Sequence, residues 1–465
     1  MATEAGTAAG TEAGTEAPVL TGLPVIGSMF DLKNDSLGTF LRARAEHGDV
    51  VRISAGPPGV RAHVYAVFSA EGVQQVLAGE SANFRKDNAF YQEVRESFGN
   101  GLLTSQDDDY LRQRRLVQPL FTKRRVDGYA DAIATEVATL TAEWEKSGAT
   151  TVDVLHESTR LALRAVARIL FGTDVDSAVE VVERCFPGVG SYVLRRGYAP
   201  VTVPRAWPTP GNRKAAALHR ALYEECDRII AERKATGRTG TEDDDLLSLL
   251  MAAESAEDGA FSATELREQV LVFLLAGHET TATSIGFALH LLARHPEAQR
   301  RAHEEVDRVL AGRAPGAADL DALPYVTRVL KEAMRLFPAA PVIGRRAVAA
   351  TTVGGVAVPA GADVIVAPWV THRHPAYWED AERFDPDRFT PEAEAARPRY
   401  AWFPFGGGPR ACIGQHFSML ESVTALAMIL QRHGFEAVDQ EVPVAPAITL
   451  QAAGPARCRL VPREG

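Results

Sequence analysis

Cysteine is scarce in this chain: four in 465 residues, at positions 185, 226, 412 and 458, with no CxxC pair among them. That spacing argues against a disulfide scaffold and suits a reducing compartment. Long apolar runs are missing as well. The longest, Val270 to Gly277, falls far short of the roughly 20 residues a bilayer span needs. Basic charge is not in excess, and a net charge of −10 argues against non-specific nucleic-acid binding. Residues 1–17 are mostly Ala, Gly, Thr and Glu, without a basic n-region or apolar core. They are expected to belong to a disordered tail over 1–19, and not to a signal peptide or membrane anchor. No glycine-rich dinucleotide fingerprint or flavin module is present. With 46% apolar and 24% charged residues, the expectation is a soluble cytoplasmic protein with one large body over 20–465.

Between Ala70 and Pro338 the apolar residues recur mostly at helical spacing, at 125–145, 157–171, 213–233, 262–294 and 323–337. A strand starts at Val50, and short strand-like stretches stand at 62–69, 352–358, 363–367 and within 441–461. The pattern predicts an α+β fold, mainly α, with small sheets at its edge.

One cysteine is set apart by its surroundings. Phe405-Gly-Gly-Gly-Pro-Arg410-Ala-Cys412-Ile-Gly414 is a glycine-rich loop, and from Gln415 onward Phe417, Leu420, Thr424, Ala427 and Leu430 recur at helical spacing. Cys412 therefore sits near a helix N-terminus, where the dipole and nearby N–H groups are expected to lower a thiol's pKa. A lone thiolate cannot complete a zinc site, but it can be the single protein ligand of haem iron. An ordinary buried thiol in a turn is the plainer alternative.

The string resembles the haem-binding loop of the cytochrome P-450 superfamily at every position of that pattern. The resemblance implies the cytochrome P-450 fold, a long central helix over haem b (iron protoporphyrin IX), and Cys412 as the iron ligand. Phe405, Gly406 and Gly414 would pack beside that ligand. "LLAGHETTATS" is similar to the family's acid-alcohol motif on the central helix. It implies Thr280 as the alcohol that steadies dioxygen and Glu279 as the acid that relays protons to it. Ala276 and Gly277 would leave room for the ligand, and His278 is expected to be structural. A mid-helix Thr280 can also bond back to the carbonyl of Ala276.

Two further fragments fit the family. Glu332 and Arg335 in "LKEAMRLFP", with Arg388 in "FDPDRF", match a buried scaffold triad. Arginines at the haem rim are implied at Arg410, at Arg114, and at Arg345 or its neighbour Arg346. Tyr110 stands where the family commonly has a propionate-binding Trp.

The implied activity is insertion of one atom of dioxygen into a hydrophobic small molecule, terpenoid or polyketide-like, by a monomer supplied with electrons by a ferredoxin and ferredoxin reductase. Arg112, Arg114, Arg115, Lys123, Arg124 and Arg125 form a basic cluster that could dock such a ferredoxin. Pocket walls are implied at 86–100, 185–206, Ala339–Ile343 and Ala447–Leu450, with Phe90, Val342 and Ile448 among the apolar members. A peroxide-driven or oxidative-coupling enzyme and a haem sensor are the alternatives.

Overall fold

The computed structural model describes residues 14–172, 176–199, 202–235, 245–255 and 257–463. Its organising element is the helix Ala263–Arg294, 32 residues long, or about 48 Å at the α-helical rise. Ser262 caps it: its hydroxyl accepts from the Glu265 N–H, and the Glu265 carboxylate accepts from the Ser262 N–H. From Leu266 onward nearly every side chain is buried, because helices pack on several sides of it. Val154–Phe171, Pro324–Leu336 and Gln415–Arg432 all contact it. This helix is apolar and long enough to cross a membrane, but 78% of its most apolar window is buried inside the protein.

A five-stranded sheet stands to one side. Its order is Val50–Ala55, Ala62–Val67, Asp363–Val366, Ile343–Ala347, Phe84–Arg85. Only the pairing of Asp363–Val366 with Ala62–Val67 is parallel. A second sheet joins His433–Ala437, Arg457–Pro462 and Thr151–Asp153. A hairpin of Val444–Pro446 and Leu450–Ala452 carries its tip toward the central helix. The expected mainly helical fold with peripheral sheets is what forms.

Several details differ from the pattern-based expectation. The stretch 125–145 divides into Lys123–Asp127 and Ala130–Ser147. Strand Ile343–Ala347 escapes an alternation search because the buried position 345 is an arginine. The segment 185–206 is largely the end of a helix, Asp176–Gly197, with residues 200 and 201 outside the described part. Order also begins before Leu20. Thr15 bridges Val356, Val19 bridges Arg52, and Ala17 is buried, so residues 15–19 are edge chain and not tail. Residues 1–13 of the expected tail lie outside the described residues.

Candidate active site

The cysteine loop is built for close approach. Gly408 has φ +65°, and a Cβ there would lie 1.9 Å from the Leu77 carbonyl oxygen, so only glycine fits. The Cys412 N–H donates to the Phe405 carbonyl at 2.9 Å and closes the loop on itself. The Cys412 side chain is accessible although protein surrounds it. The expectation that the helix terminus would depress its thiol pKa is not met. Burial raises it, outweighing the Gly414 N–H and the charges of Arg114 and Lys86.

Around Cys412 the fold gathers cations from distant parts of the chain. Arg345 is only 4% exposed, whereas Arg346 on the opposite face of the same strand is exposed, which singles out Arg345 as the inward residue. Lys86 is enclosed beside Arg345, Arg410 and Cys412, and its pKa falls well below the usual lysine value through burial and those two arginines. Burial pushes Arg410 down to about 10. Among the described residues none of Lys86, Arg345 and Arg410 forms an ion pair, and Arg410 Nη1 is buried without a hydrogen-bond partner. Enclosed cations without counter-ions are costly unless an anion is to be held. These residues fit a ligand that offers an iron to Cys412 and carboxylates to its rim, as haem does. Lys86 opens the implied pocket segment 86–100, but its role as a cation beside Cys412 escaped the sequence analysis because it lies in no motif.

Two other residues expected at the rim also brace the cysteine loop. Arg114 donates to the Ala411 carbonyl at 3.1 Å and so clamps the cysteine loop while lending Cys412 its charge. Tyr110 commits its hydroxyl to the Pro409 carbonyl at 2.8 Å, and its ring carries the Arg410 guanidinium at 3.7 Å. Tyr110 thus braces both the loop and Arg410. Phe405, Gly406 and Gly414 sit in the loop as expected, and a Cβ on Gly414 would lie 3.9 Å from Cys412 Sγ.

On the central helix Ala276 is exposed although its neighbours Phe273, Leu274 and Leu275 are buried. Thr280 donates to its carbonyl at 2.9 Å, the back-bond foreseen from the spacing. Gly277 corrects an expectation: a Cβ there would meet Val166 of the neighbouring helix at 3.0 Å, so the small residue serves helix packing and not ligand access. Glu279 accepts from Thr449 at 2.6 Å and more loosely from Gln451 at 3.4 Å. Burial raises its carboxyl pKa against those two donors. His278 is buried, bonded through Nδ1 to the Leu274 carbonyl at 2.9 Å and set edge-on to Phe186. Burial holds its pKa at about 4, so it is neutral and structural.

The basic cluster is thinner than its sequence suggests. Arg112 pairs with Glu265, Arg115 with Asp258 at 2.5 Å, and Lys123 with Asp127 at 2.8 Å. Arg124 and Arg125 remain without an ion pair among the described residues, beside a groove that also includes Gly128 and Tyr129.

Comparison with known proteins places this geometry. The profile of the family described as Cytochrome P450 matches residues 17–455. Cyclooctatin synthase of Streptomyces melanosporofaciens is 37% identical over 95% of this chain and 95% of its own length. Pentalenene oxygenase of Streptomyces avermitilis is 34% identical over 94% of this chain and 95% of its own. Cyclooctat-9-en-7-ol 5-monooxygenase of Streptomyces melanosporofaciens is 34% identical over 88% and 87%.

Proposed function

The chain belongs to the cytochrome P450 family and is a monooxygenase, and from that membership we propose that it hydroxylates a carbocyclic terpenoid. The observation that carries this reading is the gathering of the cations Lys86, Arg345 and Arg410 around Cys412, with the acid-alcohol pair on the central helix next to Thr281, whose hydroxyl meets that of Ser418 on the helix after Cys412. Cys412 would hold the iron of a haem b, and Lys86, Arg345 and Arg410 would hold its propionates. The haem, when bound, supplies the chemistry that activates dioxygen for attack on a C–H bond.

The chain's own residues do the rest. Thr280, tethered to the Ala276 carbonyl, keeps its hydroxyl oxygen free to accept a further hydrogen bond. Glu279, whose carboxyl burial shifts toward the neutral form, is the chain's own candidate for moving a proton. Apolar residues from Ala339–Ile343 and Ala447–Leu450 orient a hydrophobic substrate. The names of the relatives support a carbocyclic, oxygen-poor substrate: an alkene for one and an alkenol for another. Electrons come from a ferredoxin and its reductase in the cytoplasm, with Arg124 and Arg125 offering the free positive charge for docking, and the enzyme works as a monomer. The single catalytic body spans the described chain from Thr15 onward.

The test is a panel of cyclic terpene hydrocarbons and alcohols, fatty acids and aromatic polyketides. Terpenes should shift the Soret band to the blue and yield hydroxylated product with ferredoxin, reductase and NADPH, but not with peroxide alone. Turnover of only the other classes, or equal turnover with peroxide, would reject the proposal.

A further inference from the structure

We propose that Thr449 is a positioning residue for proton delivery, holding the Glu279 carboxyl from the tip of a hairpin that also walls the substrate pocket. The inference rests on the reading of Glu279 as the proton donor.

The tip, residues 447–449, is pinned in three directions. Thr449 Oγ1 donates to Glu279 Oε2 at 2.6 Å, across 170 residues of chain. The Leu450 N–H donates to the Ala339 carbonyl at 2.8 Å, tying the hairpin to the pocket stretch 339–343. Ile448 Cδ1 lies 3.7 Å from where a Cβ on Gly190 would stand, so the tip faces the helix Asp176–Gly197. Within itself it is closed by the Ala447 N–H on the Thr449 carbonyl at 2.8 Å. Thr449 is buried, and its hydroxyl reaches a carboxyl with no ion-pair partner among the described residues. Gln451 is the only other side-chain donor to that carboxyl among the described residues, at the longer 3.4 Å. Thr283, one turn beyond Glu279, bonds among the described residues only the Glu279 backbone carbonyl and, at 3.5 Å, the Leu450 carbonyl.

This arrangement sets two opposing influences on the acid. Burial favours the neutral carboxyl, and a short hydrogen bond received from Thr449 favours the carboxylate. A proton relay needs an acid that both holds and yields its proton near the working pH. Without Thr449, burial would act almost unopposed: the carboxyl would hold its proton too tightly and its side chain would be free to turn. A hydroxyl that merely filled a buried polar need would affect folding but not the titration of Glu279.

The experiment is infrared titration of the carboxyl region in the resting holoenzyme, with the Glu279→Gln spectrum subtracted to isolate one group. Thr449→Val should move the Glu279 midpoint upward by roughly one unit. Thr449→Ser should restore it, and Gln451→Leu should move it less. If Thr449→Val does not fold, Thr449→Ala provides the same comparison. An unchanged midpoint would overturn the proposal. Separately, if Glu279→Gln leaves product formed per electron consumed unaltered, the reading of Glu279 as proton donor fails, whatever the titration shows.

Discussion

Arg335 meets the Glu332 carboxylate with two nitrogens at once, Nε at 2.6 Å and Nη2 at 2.8 Å, and neither residue is exposed. The pair is the start of a chain of contacts that ends at the candidate iron ligand. Arg335 Nη1 donates to the His372 carbonyl at 3.0 Å, and the Phe403 N–H donates to His372 Nε2 at 2.9 Å. The Phe403 carbonyl then receives the Gly406 N–H, and the Phe405 carbonyl receives that of Cys412. Arg388 completes the triad at 3.5 Å from Glu332.

Breaking this pair leaves a charge buried without compensation. Glu332→Ala should destabilise the protein by roughly 3–5 kcal/mol and loosen the cysteine loop. Urea unfolding measures the first effect, and loss of haem on gel filtration measures the second.

Gly408→Ala should be nearly as damaging locally. The Cβ would overlap the Leu77 carbonyl and the backbone would keep a positive φ, so the loop must move away from residues 77–78. Haem content should fall while far-ultraviolet circular dichroism stays close to wild type.

Arg345 and Arg346 are neighbours with opposite fates. Arg345→Ala should weaken haem affinity roughly ten- to hundredfold, the cost of a charged hydrogen bond. Arg346→Ala, whose side chain is exposed, should leave it unchanged. Transfer of haem to apomyoglobin measures both, and Lys86→Met should behave like Arg345→Ala.

His278 makes stability sensitive to acid. Its folded pKa of about 4 lies below the ordinary 6.5, so the unfolded chain takes up a proton that the folded one refuses. Stability from this group is complete above pH about 6.5 and is lost as pH falls toward 4, by about 3 kcal/mol in all. Urea midpoints between pH 7.5 and 4.5 should converge partly in His278→Gln relative to wild type.

The parts of the site that could be read from sequence are those written as contiguous strings. The loop around Cys412, the Glu279-Thr280 pair, the Glu332-Arg335 pair and the separate fragment that carries Arg388 are each short local strings. The longer helices were legible for a similar reason: apolar periodicity survives over many turns. Lys86 was not, because it reaches Cys412 only through folding, more than 300 residues away in the chain. Strand Ile343–Ala347 was hidden by the charge it delivers to the site, a local rule broken where function requires it. Gly277 invited a ligand-based explanation because it stands three residues before Thr280, and only the packing of Val166 shows its role. Tyr110 and the basic cluster show the same limit. Sequence names the donors and charges, but the fold decides which partners they find.

The most direct test of the whole account is the carbon monoxide difference spectrum of the reduced protein. Cys412 bonded to haem iron through its sulfur predicts the strongly red-shifted Soret band of thiolate ligation, lost in Cys412→Ala. A band at the position given by histidine or water ligation in the wild-type protein, or a red-shifted band that survives Cys412→Ala, would contradict it.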